Sequence, residues 1–205
     1  MKSFDQMLLT NRSWVLEMKN IDPDYFAKLS VGQSPKYLWI GCSDSRIPIE
    51  IITGSEPGEI FVHRNIANLV RDTDPNLMSV VKYAVDYLKV KHIVICGHYN
   101  CGGVKAAYDD LNVDYIGEWI SDIKNSLKDN IDEIEQIQNE TDRVNRLAEL
   151  SVLKQVDKLR ENSIIQNAWD RKQRLFIHGW IFDIFSGELK VLKEINPDEL
   201  KQFGG

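Results

Sequence analysis

The sequence predicts an α/β protein: a mainly parallel sheet of four strands, one antiparallel edge strand, flanking helices and an N-terminal helical arm. Two observations carry this. Short apolar runs, Tyr37-Leu38-Trp39-Ile40-Gly41 and His92-Ile93-Val94-Ile95-Cys96-Gly97, have the length and continuity of strands buried on both faces. Between and after such runs lie segments with helical spacing, and strand alternating with helix is the pattern of crossover units in a parallel sheet.

Taken in order, Phe4 to Lys19 carries Leu8, Leu9, Trp14, Val15 and Met18 on a helical stripe, and Asp22-Pro23 opens a second short helix that Gly32 ends. These residues, 1–31, form the expected arm, and such a pair either lies on a partner subunit or covers its own core. Residues 32–195 are the expected core and 196–205 a short tail, within a single domain 1–205. Strand one spans about Lys36 to Ile40, and Pro48 opens a helix closed at Gly54. Glu56-Pro57-Gly58 turns the chain into strand two, Glu59 to His63. Pro75 starts a helix with Met78, Val81, Val85 and Leu88 on one face, ahead of strand three, His92 to Cys96.

From Ile116 to Asn167 there is almost no Gly or Pro. Ile116, Trp119, Ile120, Ile123 and Leu127 read as one helical face. Thr141 is placed to cap a long helix through Leu159, whose charged residues read as a solvated face, and Ser163 to cap a short one. Leu175 to Phe182 is strand four, and Leu189 to Leu192 returns antiparallel after Phe185-Ser186-Gly187.

The chain has 205 residues, 43% apolar and 27% charged, with net charge −6, so the electrostatic footprint of a nucleic-acid binder is missing and a grip on anionic lipid is not expected. No stretch has the apolar core of a signal peptide or the length of a membrane span. Three cysteines make a poor disulfide framework and fit a reducing cytoplasm, where thiols serve as metal ligands or catalytic groups.

The chemistry lies just after strands one and three, in Cys42-Ser43-Asp44-Ser45-Arg46 and His98-Tyr99-Asn100-Cys101-Gly102-Gly103. Ligands of open parallel sheets bind at the carboxyl ends of the strands. Two thiols and an imidazole there suit zinc, which accepts soft thiolates and prefers a tetrahedron. Three ligands leave a fourth position open and mark a catalytic site. Asp44 is the candidate to close it, and Arg46 offers that carboxylate a different partner. Cys96 reads as a buried apolar residue, His63 and His178 as structural histidines, and His92 as solvent-facing. A redox pair of Cys96 and Cys101 would have the wrong spacing for a Cys-x-x-Cys motif.

With these residues in view, Cys42-x-Asp44-Ser45-Arg46 and His98-x-x-Cys101-Gly102-Gly103 resemble the signature of β-class carbonic anhydrases of the bacterial type. The resemblance runs on through Gln33-Ser34-Pro35, Phe61 to Asn68, and His178-Gly179-Trp180. It implies reversible hydration of carbon dioxide to bicarbonate by a zinc-bound hydroxide, one zinc per subunit, in a homodimer or tetramer. It makes Cys42, His98 and Cys101 the zinc ligands, and Asp44 and Arg46 the dyad that orients the attacking group. It makes Gln33 a substrate donor reaching across a dimer interface, with Tyr83 and Gly102 lining the pocket. Some relatives carry a second bicarbonate pocket, at positions occupied here by Trp39, Arg64 and Phe182. Phe182 replaces a tyrosine there, which weakens the pocket and leaves Arg64 free to pair with a carboxylate. A non-catalytic metal module, or carbonyl sulfide or carbon disulfide as substrate, are the alternatives.

Overall fold

The computed structural model describes residues 3–200, and the remainder of the expected tail lies outside them. The chain divides into two units, 1–34 and 35–205.

The first unit holds α1 (Phe4–Ile21) and α2 (Tyr25–Ser30). Ser3 and Gln6 close a reciprocal capping box on the first turn of α1. Trp14 meets the rings of Tyr25 and Phe26 edge-on, at 6.3 and 5.4 Å. Of the other apolar side chains of α1, Phe4, Met7, Leu8, Leu9, Leu16 and Ile21 are exposed, and Val15 and Met18 are partly buried.

The second unit runs β1 (Tyr37–Cys42), α3 (Ile49–Thr53), β2 (Ile60–Asn65), a 3-10 turn (Ile66–Asn68) and α4 (Pro75–Lys82), which continues as a π-helical turn (Tyr83–Tyr87). Then come β3 (His92–His98), α5 (Gly102–Tyr108), α6 (Asp114–Trp119), α7 (Ser121–Asp129), α8 (Ile131–Glu135), α9 (Glu140–Glu161), α10 (Ser163–Asp170), β4 (Phe176–Asp183), β5 (Glu188–Ile195) and α11 (Pro197–Leu200). The strand order is β2-β1-β3-β4-β5, parallel throughout except for the antiparallel pair β4/β5. The chain therefore leaves β1 to one side for β2 and crosses to the other for β3. In doubly wound sheets of this order, ligands bind where β1 and β3 part.

Strands one to three extend two residues beyond their expected ends, to Cys42, Asn65 and His98. The apolar run stops earlier, but the ladder continues, so Cys42 and His98, two of the three candidate ligands, are the last residues of β1 and β3. The expected face Ile116–Leu127 is broken at Ile120 into α6 and α7. Arg71 reaches in and takes the carbonyls of Glu118 and Trp119, each at 2.8 Å, which removes them from a continuous helical ladder. The caps also move: Asn139, not Thr141, caps α9, and Asn162, not Ser163, caps α10.

The sheet has two unlike faces. Leu38, Ile40, Ile93, Ile95, Ile177 and Ile181 point into the larger core beneath the helices, and Trp39, Val94, Cys96 and Phe182 point into a smaller cluster with Ile47 and Ile49 of the α3 segment. On the larger side α9 lies directly on β3 and β4. A Cβ at Gly97 would stand 2.7 Å from Val152 Cγ2, and one at Gly179 would stand 2.8 Å from Val156 Cγ2. These two glycines let a helix end up beside the loop that follows His98. Among the described residues, no helix is long and apolar enough to cross a membrane.

Candidate metal centre

Cys42 ends β1 and His98 ends the neighbouring β3, so parallel pairing brings a thiol and an imidazole to one edge of the sheet. Cys101 follows three residues later, at the cap of α5. The ligand atoms of the three all lie within 4.8 Å of one another, and all three residues are buried. Cys42 Sγ and Cys101 Sγ are 3.9 Å apart. Two sulfurs bound at about 2.3 Å to one tetrahedral zinc would be roughly 3.8 Å apart, so the thiol spacing fits that ion.

The imidazole is oriented for the same purpose. His98 Nδ1 is 2.9 Å from the Tyr99 carbonyl, which can only accept, so Nδ1 carries the proton. That leaves Nε2 with a lone pair, and this atom is buried without a protein partner. A buried acceptor without a donor is costly unless a ligand meets it. The thiols point the same way. Each holds the other's ionisation: the contact with Cys101 draws Cys42 well below the usual thiol range, and the contact with Cys42 pushes Cys101 well above it. Two thiolates this close disfavour each other, and a cation held between them would favour both. The Ala67 N–H donates to Cys42 Sγ at 3.4 Å from a left-handed backbone, φ 61°. The residues present therefore fit zinc.

Asp44 borders this cluster but is held by Arg46. Its Oδ1 accepts from Arg46 Nε and from the Arg46 backbone N–H, both at 2.9 Å, and its Oδ2 accepts from Arg46 Nη2 at 2.6 Å. The Arg46 guanidinium keeps the carboxyl well below the usual carboxylate range, so Asp44 stays ionised. Its Oδ2 is 3.7 Å from His98 Nε2. The carboxylate thus stands beside the metal position while committed to another partner, which is the open arrangement. Arg46 Nη2 also donates to the Asn100 carbonyl at 3.2 Å.

Of the other residues singled out, Gly102 has open space where a Cβ would be, which suits a pocket wall. Tyr83 does not join the cluster within its own chain. Its ring lies against Phe61 and Tyr87, and Phe61 pairs with Leu38, four residues before Cys42 along β1. Gln33 is exposed in the first unit. Trp39 and Phe182 share the smaller core cluster. Arg64 does not pair with a carboxylate as expected: it donates to the carbonyls of Cys42, Asp44 and Ile47, at 2.8, 2.9 and 2.8 Å. It braces the segment that carries Asp44.

Cys96 is buried with its thiol pushed up by desolvation, on the face of the sheet opposite Cys42 and Cys101. His92 is not solvent-facing: it is stacked on Tyr37 and Phe176 and bonded to His178, because the start of β3 is flanked by aromatic residues of β1 and β4. The α9 side chains are not all a solvated face either. Asn145 and Glu149 grip the loop between His98 and Cys101. No spacing signal marks them, since they lie far along the chain in a helix rich in polar residues.

The comparisons agree with this geometry. The carbonic anhydrase family model matches residues 37–189. A carbonic anhydrase of Emericella nidulans is 43% identical over 197 residues, covering 96% of this chain and 85% of that protein. One from Pseudomonas aeruginosa is 35% identical over 173 residues, covering 82% and 77%. A tetrameric β-carbonic anhydrase of the ascomycete Sordaria macrospora superposes with a TM-score of 0.90 at 41% identity, covering 94% of this chain and 98% of that one. The chain belongs to the carbonic anhydrase family, in its β-class. The reaction of that family is the zinc-dependent, reversible hydration of carbon dioxide, and this chain is an enzyme of that kind. Relatives from an ascomycete and from Pseudomonas both match this chain, so the comparisons show the class without separating a bacterial type.

Proposed function

We propose that Cys42, His98 and Cys101 hold the zinc, and that Asp44 and Arg46 divide the handling of the reacting oxygen. The observation that carries this is the buried, unpartnered His98 Nε2 facing two thiols, with Asp44 pinned alongside by Arg46. Zinc held there would supply a Lewis acid that lowers the pKa of water.

The protein's own groups do the rest. Asp44 is ionised at all physiological pH, so it accepts a hydrogen bond from the attacking group and aims it. The same low pKa makes it a poor proton store, so the released proton leaves by another route. Arg46 keeps the carboxylate from swinging onto the metal. His98 presents Nε2 because Tyr99 takes its other nitrogen. The open side of Gly102 leaves room for a small apolar substrate.

The partners are carbon dioxide, bicarbonate and water, with no role for nucleic acid or membrane. Gln33 and Tyr83 are read as groups supplied to the pocket by a second copy, in a homodimer or tetramer. The exposed apolar face of α1 and the tetrameric relative support that reading. Three free cysteines support a reducing, cytoplasmic setting.

The test is zinc stoichiometry on purified protein alongside stopped-flow hydration. One zinc per chain with hydration that follows zinc content is expected. One zinc without turnover would favour a non-catalytic module, and faster turnover of carbonyl sulfide or carbon disulfide would change the substrate. Light scattering should exceed the 23.6 kDa of one chain; an active monomer would remove the shared-site reading.

A further inference from the structure

The peptide joining Tyr99 to Asn100 lies between two of the residues assigned to the metal, His98 and Cys101. In a trans peptide the carbonyl and N–H point opposite ways. Here the Tyr99 carbonyl accepts from His98 Nδ1 at 2.9 Å, and the Asn100 N–H donates to Asn145 Oδ1 at 2.9 Å. One peptide therefore links a side chain of α9 to the imidazole.

Asn100 has φ 55°, in the left-handed region that asparagine tolerates better than most residues but does not favour. Turning the peptide over would return Asn100 to ordinary backbone angles. It would also take the Tyr99 carbonyl away from His98, and the imidazole would lose the bond that fixes its tautomer. The local backbone preference thus runs against the orientation the site needs. The acceptor that opposes the flip is Asn145 Oδ1. The next carbonyl, that of Asn100, accepts from Arg46, so the same backbone geometry also reaches the Asp44 pair. Glu149, one turn further along α9, takes the Tyr99 hydroxyl and is itself held by Arg146 at 2.7 Å. That contact anchors a side chain and leaves the peptide orientation to Asn145.

We propose that Asn145 is a positioning residue of the metal centre: its Oδ1 holds the Tyr99–Asn100 peptide in place and so sets the tautomer and aim of His98. This rests on the metal assignment above. Hydrogen bonds in series polarise one another, so the acceptor at the outer end also makes the Tyr99 carbonyl a better partner for Nδ1–H.

The experiment uses the full chain with Asn145→Ala and Asn145→Asp. Aspartate keeps an acceptor oxygen at the same reach, and alanine has none. The readouts are the zinc dissociation constant from chelator competition, the visible absorption of the Co2+-substituted protein, and the Tm with and without zinc. Asn145→Ala should bind zinc about 10–100-fold more weakly, as loss of an outer-shell partner does. It should shift the cobalt bands and lose more Tm in the zinc form than in the metal-free form. Asn145→Asp should recover most of the affinity. If Asn145→Ala does not fold, Asn145→Leu, similar in size and without an acceptor, takes its place. Wild-type zinc affinity and cobalt spectrum in the alanine or leucine variant would overturn the proposal. So would equal Tm losses with and without zinc, or equal zinc loss in the aspartate variant. Wild-type protein that fails to bind zinc would instead refute the metal assignment.

Discussion

His92 and His98 stand at the two ends of β3, and their surroundings give them different uses. At the first end, His92 Nδ1 meets His178 Nε2 at 3.0 Å, and His178 Nδ1 meets Glu194 Oε1 at 3.0 Å. Glu194 only accepts when ionised, so both protons of this relay point toward it, and His92 is further stacked between Tyr37 and Phe176. At the other end, His98 spends Nδ1 on a carbonyl and keeps Nε2 buried with no protein partner, beside two thiols. Residue type is the same; what differs is which polar atom the fold leaves over. The candidate ligand is the histidine whose buried lone pair the protein itself does not satisfy. A structural histidine is one whose neighbours are already spoken for.

The largest test of this contrast removes a neighbour of the unsatisfied atom. Cys101→Ser should lose zinc and hydration activity together, because a hydroxyl is a harder and less acidic donor than a thiol. Metal analysis after chelator challenge, paired with stopped-flow rates, reads both. Full zinc with wild-type turnover would take Cys101 off the ligand set, and the comparison would lose its metal end. Next comes Asp44→Asn. The amide keeps the shape but not the charge that pairs with Arg46, so zinc should stay while turnover falls by about a hundredfold or more. A normal rate at full zinc would show that the carboxylate only borders the site.

How much of this contrast was legible beforehand depends on which atoms carry it. Cys42, His98 and Cys101 were readable because each follows a short apolar run, and strand ends of a parallel sheet gather ligands. The Asp44–Arg46 pair was readable because its two residues are almost adjacent. The parallel core and the antiparallel return were readable for the same local reasons. The state of His92 was not, since its partners Phe176, His178 and Glu194 lie on β4 and β5 and depend on pairing register. Asn145 was not either. It is one polar residue on a long polar helix, and only the close seat of α9 on Gly97 and Gly179 brings its turn of helix to the metal loop. The break between α6 and α7 was hidden in Arg71, far upstream. Arg64 looked like a free cation because its acceptors are backbone carbonyls, which every sequence has.

A smaller effect is expected at the other end of β3. His92→Phe keeps the stacking and removes one donor, so it should lower stability by about 1 kcal/mol at pH 8 and leave zinc content and turnover unchanged. Burial, the nearby His178 and Lys91 together hold the His92 pKa below its ordinary value against the opposing pull of Glu194. The unfolded chain therefore binds a proton at higher pH than the folded one. Stability is full above about pH 6.5 and declines as pH falls from there toward the folded pKa. Denaturant melts between pH 8 and 5 should show a shallower acid-side loss in His92→Phe than in the wild type. Zinc loss in this variant would mean that the two ends are coupled and the division of labour along β3 is wrong.

The smallest effect concerns Phe182, the register partner of His98 on β4. The second anion pocket expected from the resemblance would be built on Trp39, Arg64 and a tyrosine hydroxyl where Phe182 stands. Here Trp39 keeps its buried indole N–H without a protein partner. Arg64, however, is spent on the carbonyls of Cys42, Asp44 and Ile47, and phenylalanine brings no hydroxyl. An anion would have to take Arg64 from three acceptors that brace the Asp44 segment. Bicarbonate should therefore inhibit the wild-type enzyme only weakly. Phe182→Tyr should leave zinc and basal rate unchanged. A hydrogen bond to a charged group is worth about 1.5–3 kcal/mol when nothing competes. With Arg64 still committed and water able to stand in for the hydroxyl, the gain should be at the low end, up to about tenfold in bicarbonate affinity. Rates against pH, with and without added bicarbonate, decide it. A wild-type enzyme that shuts off cooperatively in millimolar bicarbonate, and does so identically with the added hydroxyl, would show that the carbonyl contacts of Arg64 yield to the anion and that the metal end of the sheet is less rigid than its hydrogen bonds suggest.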